Sequence, residues 1–136
     1  MELERPILAD TDFLSDHLAG TSKAKKAIHG LLSEGFHIAS TVITVSELFF
    51  GRYRRKWKQR RSERLEELVA SLMVIPFTTE HAREYGRIRA DLVDRGLDIG
   101  FADTAIAAIA RREDLTVLTG NIDHFQRIEG LTVRVY

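Results

Sequence analysis

Four acidic residues stand where short apolar runs give way to helical patterns. Asp10 closes "PILAD", Glu47 lies in "TVSELFFG" (44–51), Asp103 opens "FADTAIAAIA" (101–110), and Asp123 lies in "VLTGNIDHF" (117–125). If the apolar runs are strands of one parallel sheet, Asp10, Glu47 and Asp123 fall at a common edge, and Asp103 starts a helix whose dipole favours negative charge. Two carboxylates about 4 Å apart repel by about 4 kcal/mol at an effective dielectric near 20. A cluster of four therefore holds protons or binds cations. An all-oxygen donor set, without cysteine or clustered histidine, suits Mg²⁺, with Mn²⁺ as the alternative, and does not suit zinc.

Each acid also has an ordinary structural reading. Asp10 and the following Thr11 are good N-caps for a helix after the first strand. Asp103 suits the start of its own helix. Thr44 and Glu47 match a capping box, and Asn121 and Asp123 are common turn formers. Only the delivery of acids from four separate segments to one edge favours a binding site. The five histidines are scattered, and His124, next to Asp123, is the one placed to matter.

The elements that must position these groups follow from periodicity. Strands are expected over 6–9, 36–40, 73–77, 115–119 and 131–136. Helices are expected over 22–35, 44–57, 62–72, 79–96 and 101–113. In the first of these helices Ala27, Ile28, Leu31 and Leu32 share one side, with Gly35 as C-cap. Tyr85, Ile88, Leu92 and Val93 are expected to face inward in the fourth. The last is apolar nearly all round, so it should be buried. Strands separated by helices mean an α/β fold with a mostly parallel five-stranded sheet, and the whole of 1–136 reads as one domain.

Composition limits the possibilities further. There is no cysteine, so disulfides and thiolate zinc sites are excluded, and a reducing compartment such as the cytoplasm is expected. The acidic, weakly apolar N-terminus does not resemble a signal peptide, and no window has the length of a membrane span. Net charge is zero, yet "GRYRRKWKQRR" (51–61) concentrates Arg52, Arg54, Arg55, Lys56, Lys58, Arg60 and Arg61. Such a run is either a solvated helix tip or a surface for phosphates. Phe49, Tyr53 and Trp57 recur at helical spacing beside it, as core packing or as an apolar groove.

"ILADTDFL", "TVSELFFG", "FADTAIAAIA" and "VLTGNIDHF" resemble, in order and spacing, the four motif blocks of PIN-domain ribonucleases, and most closely the VapC toxins of bacterial toxin–antitoxin pairs. The resemblance implies that Asp10, Glu47, Asp103 and Asp123 hold Mg²⁺ and that Thr119 and Asn121 shape the site, with Thr11 a polar position beside the first acid. Asp12 departs from the pattern, which more often has Asn or Ser there; it could add a ligand or only cap a helix. The implied reaction is hydrolysis of RNA phosphodiesters by metal-activated water, leaving 5′-phosphate and 3′-hydroxyl ends. The implied partners are RNA, a VapB-like antitoxin gripped by the helix pair that carries Phe49, Tyr53 and Trp57, and a second copy of the chain in a homodimer.

Three other readings compete. Asp10-Thr11-Asp12 is similar to the aspartate pair of haloacid-dehalogenase-like phosphatases, but Leu14 replaces the Thr or Val expected there, and no lysine stands between Asp103 and Asp123. Receiver domains share the acidic pair but need an aspartate after the third strand, where Pro76-Phe77-Thr78 occurs. A PIN fold that binds without catalysis is the third.

Overall fold

The structure is a computed structural model that describes residues 5–136. Five strands form one sheet: β1 (Arg5–Ala9), β2 (Phe36–Thr41), β3 (Met73–Ile75), β4 (Val117–Thr119) and β5 (Val133–Val135). Their order is β3-β2-β1-β4-β5, and every neighbouring pair is parallel. The central strand explains its own sequence. Ile7, Leu8 and Ala9 are all fully buried, and only the start of the strand at Arg5 is exposed, because helices cover both faces of the sheet.

Successive strand residues point to opposite faces, and the core divides accordingly. Leu8 and Val117 join a cluster with Ile88 and Leu92 of α5 (Thr79–Asp94) and Ile106 and Ile109 of α6 (Phe101–Glu113). Ile7 and Ala9 face the other cluster. There they meet α1 (Thr11–Ala19), α2 (Ser22–Ser33), α3 (Val42–Arg55) and α4 (Gln59–Ser71) through Phe13, Leu14, Leu31, Leu48 and Leu65. The expectation for 101–113 holds: every residue from Thr104 to Ala110 is buried. Gly35 takes a left-handed φ of +84°, one residue beyond the Glu34 that caps α2.

Several boundaries differ from those expected. α3 begins two residues early because Thr41, at the end of β2, is its N-cap and accepts from the Thr44 amide at 3.1 Å. Thr44 is therefore a buried first-turn residue, and Glu47 has no capping role. The same helix stops at Lys56, which is left-handed (φ 52°), so Trp57 lies beyond it and the aromatic stripe is broken. α4 starts at Gln59, three residues early. β3 ends before Pro76, which lacks an N–H for the ladder, and β4 and β5 keep only three residues each. Leu32 and Val93 are 55% and 53% exposed instead of inward. Each follows a buried leucine, and one helical step of about 100° carries it off the apolar stripe.

The order of strands places the site. From β1 the sheet extends to β2 on one side and to β4 on the other, so the chain reverses its winding direction there. Such a switch point, beyond the carboxyl ends of β1 and β4, is the usual position for ligands in open parallel sheets.

Candidate active site

Asp10 follows β1 directly and is the N-cap of α1; its Oδ1 accepts from the Phe13 amide at 2.9 Å. Its Oδ2 accepts from the hydroxyl of Thr119, the last residue of β4. That hydroxyl in turn accepts from the Asn121 amide at 2.8 Å. Asn121 thus supports the site through its backbone. Asp10 is 2% exposed, and burial pushes its carboxyl up to about 7, with Asp12 and Asp103 adding to the rise against the Thr119 and Phe13 hydrogen bonds. Asp12 is also raised, by partial burial first and then by Asp103 and Asp16, while His124 opposes the shift. Asp10 thus performs both tasks open to it: it caps a helix and stands as a buried acid among acids.

The other expected residues divide. Asp103, in the first turn of α6, is half-buried, and its Oδ2 lies 2.7 Å from Nδ1 of His124. Glu47 accepts from the Thr11 hydroxyl at 2.5 Å, and Thr44 Oγ1 lies 3.2 Å from the same hydroxyl. Glu47 is thereby tied to the start of α1. Asp123, in the one-turn helix α7 (Ile122–Phe125), is exposed, and its carboxylate accepts from the Gln126 side-chain amide at 3.3 Å. The structure joins Asp10, Asp12 and Asp103 electrostatically and links Glu47 to the start of α1 through Thr11, whereas Asp123 is not among the groups that shift Asp10 or Asp12.

Among the described residues, no three acidic or histidine side chains close on one point at ligating distance. The donor chemistry nonetheless fits a hard cation. The groups are carboxylate oxygens, and the buried Asp10 carries an unfavourable charge beside two further acids, which a cation would relieve. Rotation of exposed or half-buried side chains would be needed to complete a coordination shell.

A cleft of about 330 Å³ runs from Asp12 and Glu47 to the end of α3. Thr11, Asp12 and Ser15 of α1 line it together with Glu47, Phe50, Gly51 and Arg55 of α3 and Trp57 beyond that helix. The basic and aromatic residues expected to contact partners therefore separate into groups. Arg55 and Trp57 border the cleft. Arg52 pairs with Glu66 at 2.8 Å and lies over the Tyr53 ring. Arg54 and Lys56 are exposed. Phe49 is half-buried against the core and stacks with Tyr53, which is 68% exposed. Trp57 packs against the core beneath the Arg61 guanidinium, 3.9 Å from its ring centre. Phe50, 70% exposed, and Gly51 escaped the sequence reading. Their signal was present, since positions three and four after Glu47 share its helix face.

Residues 7–131 match the PIN domain family. The chain belongs to that family. This PIN domain is 34% identical over 127 residues to ribonuclease VapC10 of Mycobacterium tuberculosis, spanning 92% of this chain and 90% of the relative. It is 33% identical over 91 residues to the tRNA(fMet)-specific endonuclease VapC of Salmonella typhimurium, spanning 67% of this chain and 69% of that one. Among solved structures, VapBC2 from Rickettsia felis bound to a DNA fragment from its promoter superposes with a TM-score of 0.86. It has 27% identity and covers 96% of this PIN domain and 98% of that chain. Membership of this family displaces the phosphatase and receiver readings.

Proposed function

We propose that this PIN domain is an endoribonuclease, the toxin of a toxin–antitoxin pair, and that the whole chain from 1 to 136 forms the nuclease unit. Relatives named ribonucleases and a neighbour solved as a VapBC complex support the class. Asp10 carries the reading at the level of chemistry. A carboxylate 2% exposed, held by two hydrogen bonds at the switch point of the sheet and facing two further acids, is a costly arrangement. Its ordinary role as an N-cap needs no such burial.

Asp10, Asp103 and Glu47, with Asp12 beside them, would hold Mg²⁺ or Mn²⁺. When bound, the ion supplies a more acidic water and neutralises charge on the phosphoryl oxygens. The protein's own groups set up that chemistry. Thr119 and the Phe13 amide fix the Asp10 carboxylate, Thr11 fixes Glu47, and the cleft gives an RNA strand a path that ends on the positive charge of Arg55. Action in the cytoplasm is part of the proposal and accords with an RNA substrate and a chain without cysteine. A VapB-like antitoxin and a homodimer complete the proposed assembly, and exposed Phe50 and Tyr53 at the end of α3 offer the antitoxin apolar surface.

The test is cleavage of RNA, with initiator tRNA included because of the Salmonella relative's name. Cleavage is expected with Mg²⁺ or Mn²⁺ and not with EDTA. Asp10→Asn and Asp103→Asn should each lower the rate by about 100-fold or more, the scale of loss when a key transition-state interaction is removed. Wild-type cleavage by both variants would defeat the assignment.

A further inference from the structure

The last motif of the chain offers two adjacent candidates, Asp123 and His124, and the fold separates them. α7 is a single helical turn anchored by Phe125, which is fully buried. Neighbouring residues on such a turn diverge by about 100°. Asp123 is left exposed with Gln126 as its partner, whereas His124 is half-buried with Nδ1 2.7 Å from Asp103 Oδ2. His124 also acts on Asp12 with a sign opposite to that of the acids. It thus touches Asp103 directly, whereas among the described residues Asp123 has no hydrogen bond to the site.

We propose that His124, not Asp123, is the residue of the last motif that serves the site, as a positioning residue that holds the Asp103 carboxylate in place for the cation. This rests on the metal-dependent nuclease reading above. A carboxylate facing Nδ1 keeps the proton on that nitrogen. Nδ1–H donates to Oδ2, and Oδ1 of Asp103 stays available to a ligand. Hydrogen bonds of this kind behind a ligating group fix its orientation, and losing one commonly costs 10–100-fold in metal affinity. Asparagine is the informative replacement, because its amide nitrogen can donate from nearly the position of Nδ1. Alanine and phenylalanine remove the donor, and phenylalanine keeps the ring volume.

The experiment is calorimetric titration of metal-free protein with Mn²⁺. The samples are wild type, His124→Ala, His124→Phe, His124→Asn and Asp123→Asn, with thermal melts as folding controls. His124→Ala and His124→Phe should bind Mn²⁺ about 10–100-fold more weakly, while His124→Asn stays within about threefold of wild type. Asp123→Asn should match wild type. Cleavage by His124→Phe should recover as Mn²⁺ is raised, which a folding defect would not allow. If alanine at 124 does not fold, the phenylalanine and asparagine variants carry the comparison. Unchanged affinity on losing the donor, or a loss confined to Asp123→Asn, overturns the inference alone. Wild-type protein that binds no Mn²⁺ overturns it together with the metal-dependent reading.

Discussion

A single buried carboxylate sets the electrostatics of this site. Asp10 is raised to about 7 in the folded chain from an ordinary 3.8, so between those values the folded state holds a proton that the unfolded state has released. Proton binding to the folded form stabilises it, and that contribution fades as pH rises through the window. Metal-free wild type should therefore lose stability relative to Asp10→Asn between about pH 4 and pH 7, with the variant melting higher at pH 8. Melts in EDTA across this range check the point, and parallel curves would contradict it. Divalent cation should narrow the gap at pH 8, because it favours the ionised carboxylate. The Thr119 hydroxyl, donating to Asp10 and accepting from Asn121, is the matching neutral group. Thr119→Val should cost about 1–3 kcal/mol in denaturant unfolding, the penalty for leaving the buried Asp10 oxygen without its donor and the Asn121 amide without its acceptor.

Helix starts and interiors place these residues, and two glycines show the contrast. Gly86 lies on the exposed face of α5, with nothing within 4 Å of where a Cβ would sit. Gly86→Ala should stabilise the protein by about 0.8–1 kcal/mol, the difference in helix propensity, and leave cleavage unchanged. Gly100 precedes α6 with φ 88° and ψ 176°, a conformation open almost only to glycine, and its carbonyl accepts from the Thr104 hydroxyl at 2.6 Å. Gly100→Ala also meets no steric obstacle, so its cost is purely conformational, about 1–3 kcal/mol. Because this residue sets the first turn of the helix that carries Asp103, cleavage should fall with it. Melting temperatures and rates measured side by side separate the two glycines.

At the scale of the whole molecule, zero net charge conceals an uneven distribution. Acids gather at the switch point, and the end of α3 turns Arg54 and Arg55 to solvent without an ion pair among the described residues. If both contact phosphates of single-stranded RNA, changing both to alanine should reduce the slope of log affinity against log salt by about 1.4. An unchanged slope would return them to the solvated surface. The parallel sheet makes the arrangement possible. It brings together residue 10 after β1, residue 47 in the helix that follows β2, residue 119 at the end of β4 and residue 103 in the first turn of α6, four separate segments.

Much of this was written in the order of residue types. Alternating strands and helices, the buried course of 101–113 and the place of Asp10 at the end of a strand all follow from local periodicity, because burial of one stripe or one run leaves its mark along the chain. Local pattern did not decide which of two neighbouring polar groups enters the site. Thr41 and Thr44 are both competent caps, and the end of β2 selects the first. The stripe through Trp57 looked continuous until Lys56 turned left-handed. Asp123 and His124 are one residue apart in a motif where either could serve. Burial of Phe125 sets the rotation of that single turn, and a rotation fixed by packing between distant segments leaves no period in the sequence.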